Sequence, residues 1–197
     1  DTLGGRYLAT TDVGSTGRDM EYVHRETEHV VGLPTSAGGS GDTSIMTGLG
    51  VCMGMKASAR EAWGSDSLGG KRVAIQCAHH LLIEDAQLVV TDVYDDALDR
   101  ARDMGVEVVE PEQICDVACD IFCPCALAGG ANNQLQTEED GEELHRRGIL
   151  YAPDYLINAG GIINISAEIG SPYHPDRARE KTERIYEIMG RVIRVSK

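Results

Sequence analysis

Arg72 to Val93 reads RVAIQCAHHLLIEDAQLVVTDV, and how these residues are read decides the fold. The stretch opens with a short apolar run, Val73-Ala74-Ile75, and closes with another, Leu88-Val89-Val90, followed by Asp92. Continuous apolar runs of this length predict strands buried on both faces, as in a parallel sheet. An acid at the end of the second strand is placed to accept hydrogen bonds from a ribose diol. Together these features read as the first half of a dinucleotide-binding βαβ unit. The glycine-rich turn expected after the first strand is missing, and Cys77-Ala78-His79-His80 stand where it should be.

The rest of the chain continues the alternation. A short strand is expected at Arg6–Ala9 and a polar helix over Gly17–Glu26. GLPTSAGGSGDTS, residues 32–44, is a glycine- and serine-rich loop or hinge. A helix follows from Ser44 to Trp63, with Asp42 or Thr43 as its N-cap and Gly64 as its stop. Its many small residues, including Gly50 and Gly54, predict close approach to neighbouring backbone. Strands at 72–76 and 87–92, a helix at 95–104 and strands at 106–109 and 120–124 extend the rhythm. A helix over 137–147, a strand at Ile149–Ala152 and one amphipathic helix over 175–195 complete it. The predicted class is α/β, a Rossmann-like parallel sheet with a remnant of a second domain.

Two connections are too short for that class. A parallel crossover needs at least ten to twelve residues including its helix, yet the residues between Gln76 and Gln87 must supply a turn, a helix and a return. Between Cys125 and Gly129-Gly130 there is almost nothing. Residues are therefore expected to be missing at both points.

Composition narrows the function. The chain has 197 residues, 42% of them hydrophobic, and 32 acidic against 18 basic residues for a net charge of −14. Mean hydropathy is −0.23. That field repels nucleic acid and anionic membrane surfaces, so neither is an expected partner. No apolar run reaches the roughly 20 residues that cross a bilayer, and no signal peptide is visible at the start. Four of the six cysteines, Cys115, Cys119, Cys123 and Cys125, crowd into ICDVACDIFCPC. Their spacing lacks the paired C-x-x-C of metal sites, so buried thiols are expected and no metal. Reduced thiols and a small-molecule enzyme fit a cytoplasmic address.

Four further segments, GRYLATTDVGSTGRDM (5–20), SIMTGLGVCMGMKA (44–57), GGANNQL (129–135) and GILYAPDYLINAGGIIN (148–164), closely resemble the amino-acid dehydrogenases, most of all the leucine dehydrogenase branch. The resemblance covers nearly the whole chain. It implies NAD-dependent oxidative deamination of a branched-chain L-amino acid in a cleft between a substrate domain and a Rossmann domain. It also implies a dimer-based homo-oligomer. On this basis residues 1–40 are a remnant of the substrate domain and hinge, 41–174 the dinucleotide-binding domain, and 175–197 a C-terminal helix returning toward the substrate domain. Relatives of this kind carry roughly eight more residues near Cys77 and roughly seventeen more after Leu127, in line with the short crossovers. Most of the substrate domain, with its catalytic lysines, is also missing. Lys56, Lys71, Lys181 and Lys197 do not sit in matching motifs.

The resemblance assigns roles residue by residue. Asp12 matches the acid that moves protons in the cleft, although by residue type alone it is a turn Asp before Gly14. Val13 would lie against the nicotinamide. Thr47 matches the threonine that bonds the nicotinamide amide, where the plain alternative is a local backbone bond. Asp92, with Val93 beside it, would hold the ribose and favour NAD over NADP, the alternative being an N-cap for the next helix. Ala126 and Leu127 would pass the cofactor through their backbone. Asn132 is expected on the cofactor side, and Asn158 would reach both substrate and nicotinamide ribose. His79 and His80 read as the tail of a shortened helix. A second hypothesis remains beside the enzyme: a catalytically inactive, truncated Rossmann-like module with a binding or assembly role. A metal protein built on the cysteines is a distant third. A chain complete as written would bind NAD very weakly, since nothing replaces the glycine turn.

Overall fold

A computed structural model describes residues 2–12, 14–75, 84–92, 94–126, 129–130, 132–170 and 172–196, with backbone alone at 125–126 and 129–130. Four strands form a parallel sheet: β1 (Arg72–Ile75), β2 (Gln87–Val90), β3 (Glu107–Val108) and β4 (Ile121–Cys123). Their order is β3-β2-β1-β4. Register pairs Val73 with Leu88 on one side and with Ile121 on the other. The chain builds outward from β1 through β2 to β3, then crosses to the opposite side of β1 to make β4. Such a reversal of strand order is the switch point at whose carboxyl ends open α/β sheets bind ligands.

Burial explains the apolar runs. Val73 and Ala74 are fully buried and Ile75 nearly so, so β1 has both faces covered. Val73, Ile75, Leu88 and Val90 join one core cluster with α2 (Ser44–Trp63) and the C-terminal helix α8 (Ile185–Val195). Half of α2's twenty residues are buried, which makes it the central column of the molecule. Met189 and Ile193 of α8 reach the same core at a helical spacing of four. α2 ends where the sequence predicts, at Gly64 in the left-handed conformation (φ 74°).

Around this core lie α1 (Gly17–Glu26), α3 (Asp95–Asp103), α4 (Glu138–Arg146), α5 (Asp154–Ile157), α6 (Gly160–Ser166) and α7 (Pro175–Glu183). α1 and α4 each open with a capping box, Thr16 with Asp19 and Thr137 with Asp140. The N-terminal strand shrinks to a single parallel bridge, Ala9 to Val30. Two expectations fail. Ile149–Ala152 forms no strand; Ile149 and Leu150 are exposed and no described strand runs beside them to complete a ladder. The C-terminal helix is two helices, broken at Arg184. The buried Thr182 hydroxyl donates to the carbonyl of Ala178 at 2.9 Å, a back-bond that bends helices just where α7 ends. A further short pairing, β5 (Cys125–Ala126) with β6 (Gly129–Gly130), is antiparallel.

The small residues of α2 do admit a close neighbour, backbone at Gly50 and side chain at Gly54. A Cβ on Gly50 would come 2.6 Å from the Ile157 carbonyl oxygen, and one on Gly54 2.3 Å from Ile157 Cγ2. At the start of α6, a Cβ on Gly160 would sit 1.9 Å from the Met46 carbonyl oxygen. Helix propensity alone favours alanine over glycine by about 1 kcal/mol, but this contact reverses the sign. Gly160→Ala is expected to lower unfolding stability by about 1–3 kcal/mol, measured by urea denaturation; a stabilised variant would refute the contact.

Candidate active site

The candidate residues sit on three elements: the end of β2, the first turn of α2 and the α5–α6 junction. At the end of β2, Asp92 is half-buried and its Oδ1 accepts the Tyr94 N–H at 3.0 Å. The carboxylate therefore turns the chain into α3, whose cap residue Tyr94 makes no side-chain cap of its own. The local role is present, and the position at the carboxyl edge is the one a ribose-binding acid needs. Thr91, one residue earlier, buries a hydroxyl for which the described residues offer no hydrogen-bond partner.

The second element is the first turn of α2. Thr47 is buried, and its hydroxyl donates to the Thr43 carbonyl at 3.0 Å, the local bond expected of a helical threonine. That bond fixes the rotamer and leaves the oxygen's lone pairs as acceptors. Gly161 lies against it so closely that a Cβ there would come 2.6 Å from Thr47 Oγ1.

The third element is the α5–α6 junction. Asn158 caps α5, and its Nδ2 donates to Oδ1 of Asn132. Asn132 follows β6, which packs beside α2. Two residues that sequence reading did not single out hold this junction. Buried Asp154 accepts the Tyr155 N–H at 2.7 Å and the Gln134 N–H at 3.4 Å. Gln134 in turn donates through Nε2 to the carbonyl of Pro124, just past β4. Asp154 is the first residue of α5, so its charge also suits the helix end. Its signal in the sequence was an acid directly after Pro153.

Asn132 and Asn158 are thus joined by a direct bond, and Thr47 meets the start of α6 through Gly161, while Asp92 stands apart at the end of β2. Asp12 is exposed and sits in the turn expected before Gly14 (φ 83°). Its N–H donates to Ser15 Oγ at 2.8 Å, and its carbonyl accepts from the Ser15 hydroxyl at 2.9 Å. The bridge between Ala9 and Val30 carries this segment. Ala126 pairs with Gly129 through backbone. Val13, Val93, Leu127, His79 and His80 lie outside the described residues.

Other candidates fall away from this cluster. Lys56 is committed to Glu84 at 2.9 Å; burial opposes its charge, yet the Glu84 carboxylate holds the ammonium above its ordinary pKa. Cys123 is buried and Cys115 exposed. Burial pushes the Cys119 thiol up, against a backbone hydrogen bond from Ala74. Among the described residues no three His, Cys, Asp or Glu side chains gather closely enough to hold a metal.

A parallel β3-β2-β1-β4 sheet with an acid after β2 defines a Rossmann-type domain. No protein-family model matches the chain, but known proteins do. It is 43% identical to leucine dehydrogenase from Bacillus cereus, over 99% of this chain and 60% of that protein. It is 39% identical to phenylalanine dehydrogenase from Bacillus thermotolerans, over 95% of this chain and 57% of that protein. The crystal structure of L-tryptophan dehydrogenase from Nostoc punctiforme superposes with a TM-score of 0.79 at 36% identity, covering 100% of this chain and 63% of that one. The chain is a homologue of the amino-acid dehydrogenases along nearly its whole length, and it spans about three fifths of the curated relatives it matches. The first alignment runs over 221 positions, while 99% of this chain is about 195 residues. About 26 positions are therefore filled by the relative alone, a total similar to the two crossover shortfalls combined.

Asp154→Ala strands the Gln134 and Tyr155 amides and is expected to cost about 1–3 kcal/mol. Asp154→Asn, which keeps an acceptor, should cost less; equal losses by thermal unfolding would show that the hydrogen bonds are not what matters.

Proposed function

We propose that the protein oxidatively deaminates a branched-chain, leucine-like L-amino acid to its 2-oxo acid and ammonia, with NAD as acceptor. The observation that carries this reading is the homology to leucine dehydrogenase over nearly the whole chain, and the Asn158–Asn132 bond and the Gly161–Thr47 contact are compatible with it. One end of the site suits a dinucleotide. In this reading Asp92 holds a ribose diol, and its negative charge disfavours a 2′-phosphate. Gly160 and Gly161 let α6 press against Met46 and Thr47, which holds Thr47 in place. The middle suits it less, because residues 76–83 contain no glycine to let backbone amides surround a pyrophosphate.

NAD, when bound, supplies the acceptor for the two electrons leaving the α-carbon. The chain's own residues bind and orient. Asp12 moves a proton on and off the amino group and the attacking water. Thr47 fixes the amide end of the nicotinamide, and Asn158, steadied by Asn132, spans substrate and ribose. Val13, Val93, Ala126 and Leu127 line the cofactor's path. In this reading residues 1–40 belong to the substrate side, 41–174 to the dinucleotide domain and 175–197 to the returning arm. The protein works as a cytoplasmic homo-oligomer. Among the described residues no helix is long and apolar enough to cross a membrane.

The test is turnover of L-leucine, L-valine and L-phenylalanine with NAD, beside calorimetric NAD binding. Asp12→Asn is expected to lower kcat by about 10²–10⁴-fold with NAD affinity unchanged. Asp92→Ala should weaken NAD binding by about tenfold, the loss of one modest hydrogen bond. NAD binding without turnover of any amino acid would leave a binding module in place of an enzyme.

A further inference from the structure

The loop joining Asp12's segment to α2 is held by side chains that none of the roles above uses. Glu168 follows α6 by two residues, and its Oε1 accepts two main-chain N–H groups, Gly32 at 2.9 Å and Ser40 at 2.8 Å. Both amides lie in the glycine-rich loop predicted as a hinge, Gly32 at its start and Ser40 four residues before its end. Asn164, fully buried on α6, donates through Nδ2 to the Ser40 carbonyl at 3.3 Å. Its Oδ1 accepts the Tyr173 hydroxyl at 2.8 Å. Both polar groups of Ser40's backbone are therefore satisfied by α6 and the turn after it.

Each end of the loop leads to a site residue. Gly32, in the left-handed conformation (φ 78°), packs on Thr10 and Thr11; a Cβ there would lie 3.0 Å from Thr10 Oγ1. Asp12 is the next residue, and the bridge between Ala9 and Val30 locks the two stretches side by side. On the other side, Ser40 stands three residues before Thr43, whose carbonyl fixes the Thr47 hydroxyl. The opposite end of α6 presses Gly160 and Gly161 against Met46 and Thr47. One short helix thus touches the carriers of Asp12, Thr47 and Asn158.

The charge on Glu168 needs an explanation. A carboxylate just beyond a helix C-terminus faces the negative end of the helix dipole. Tyr173 beside it does not supply a cation; its phenol is pushed up by burial and then by the Glu168 charge. What compensates the charge is the pair of amide bonds, which are stronger for being charge-assisted.

We infer that Glu168 is a positioning residue: through Gly32 and Ser40 it sets Asp12 relative to Thr47 and Asn158. The inference rests on the proposed deamination for the roles of those three residues. The experiment uses the intact protein with Glu168→Ala and Glu168→Gln, reading amide hydrogen exchange and kinetics together. Glutamine keeps an oxygen acceptor and alanine does not. In E168A, exchange at Gly32 and Ser40 is expected to rise by about tenfold or more. kcat should fall by about 10²-fold, the effect of a misplacement near 1 Å, with NAD affinity by calorimetry unchanged. E168Q should restore protection and most of kcat. Unchanged exchange in E168A, or raised exchange with normal kcat, overturns the inference, as does a kcat loss that E168Q fails to rescue. A wild-type protein without turnover sinks the deamination reading. In that event unchanged protection in E168A also sinks the latch, and lost protection that E168Q restores upholds it.

Discussion

Gly160 lies so close to the Met46 carbonyl that no side chain could stand between them. The rest of the site depends on that contact. Because the backbones of α2 and α6 touch directly, Asn158 is carried to the mouth of the α2 first turn. Asn164 and the turn after α6 are carried over the loop that precedes it. The same closeness runs along α2, where Gly50 and Gly54 admit Ile157. Interiors are packed like organic crystals, so a wedge at Gly160 would displace every group that α6 aligns. The position is best understood as a datum from which the other distances are measured.

The acidic surplus finds a use in the same structure. Carboxylates recur as acceptors for main-chain N–H groups as well as partners of cations. Asp19 and Asp140 close capping boxes, Asp120 receives the Arg72 amide, Asp154 holds the α5 junction and Glu168 holds the hinge loop. Hydrogen bonds from Thr16 keep the Asp19 carboxyl below its usual range. The ion pairs among the described residues are partly or largely exposed, where such pairs contribute little. Much of the local order in this acid-rich chain is written in bonds from backbone to carboxylate, and these lose strength once the carboxyl is protonated.

The apolar runs, the Gly64 stop of α2 and its close-packed glycines were legible in the sequence because each reports a local requirement: burial, a left-handed end, a close approach. The parallel class of the sheet was legible in those runs, and its strand order was not. What escaped was non-local. Ile149–Ala152 has the composition of a strand, but strand character needs a neighbour to bond with, and sequence composition does not name one. The break at Arg184 comes from a buried threonine hydroxyl turning back on its own helix, with no proline or glycine to announce it. Asn132 and Asn158 were each expected on the cofactor side, yet their mutual bond spans twenty-six residues. Glu168 drew no notice in the sequence, since its amide partners are more than a hundred residues away.

The strand β4 pairs, among the described residues, on one side only, and Phe122 on it is half exposed. An open sheet edge invites another chain to add a strand. Here the edge is three residues long and is followed at once by Pro124, which has no N–H to offer. A visiting strand would find too few bonds to stay.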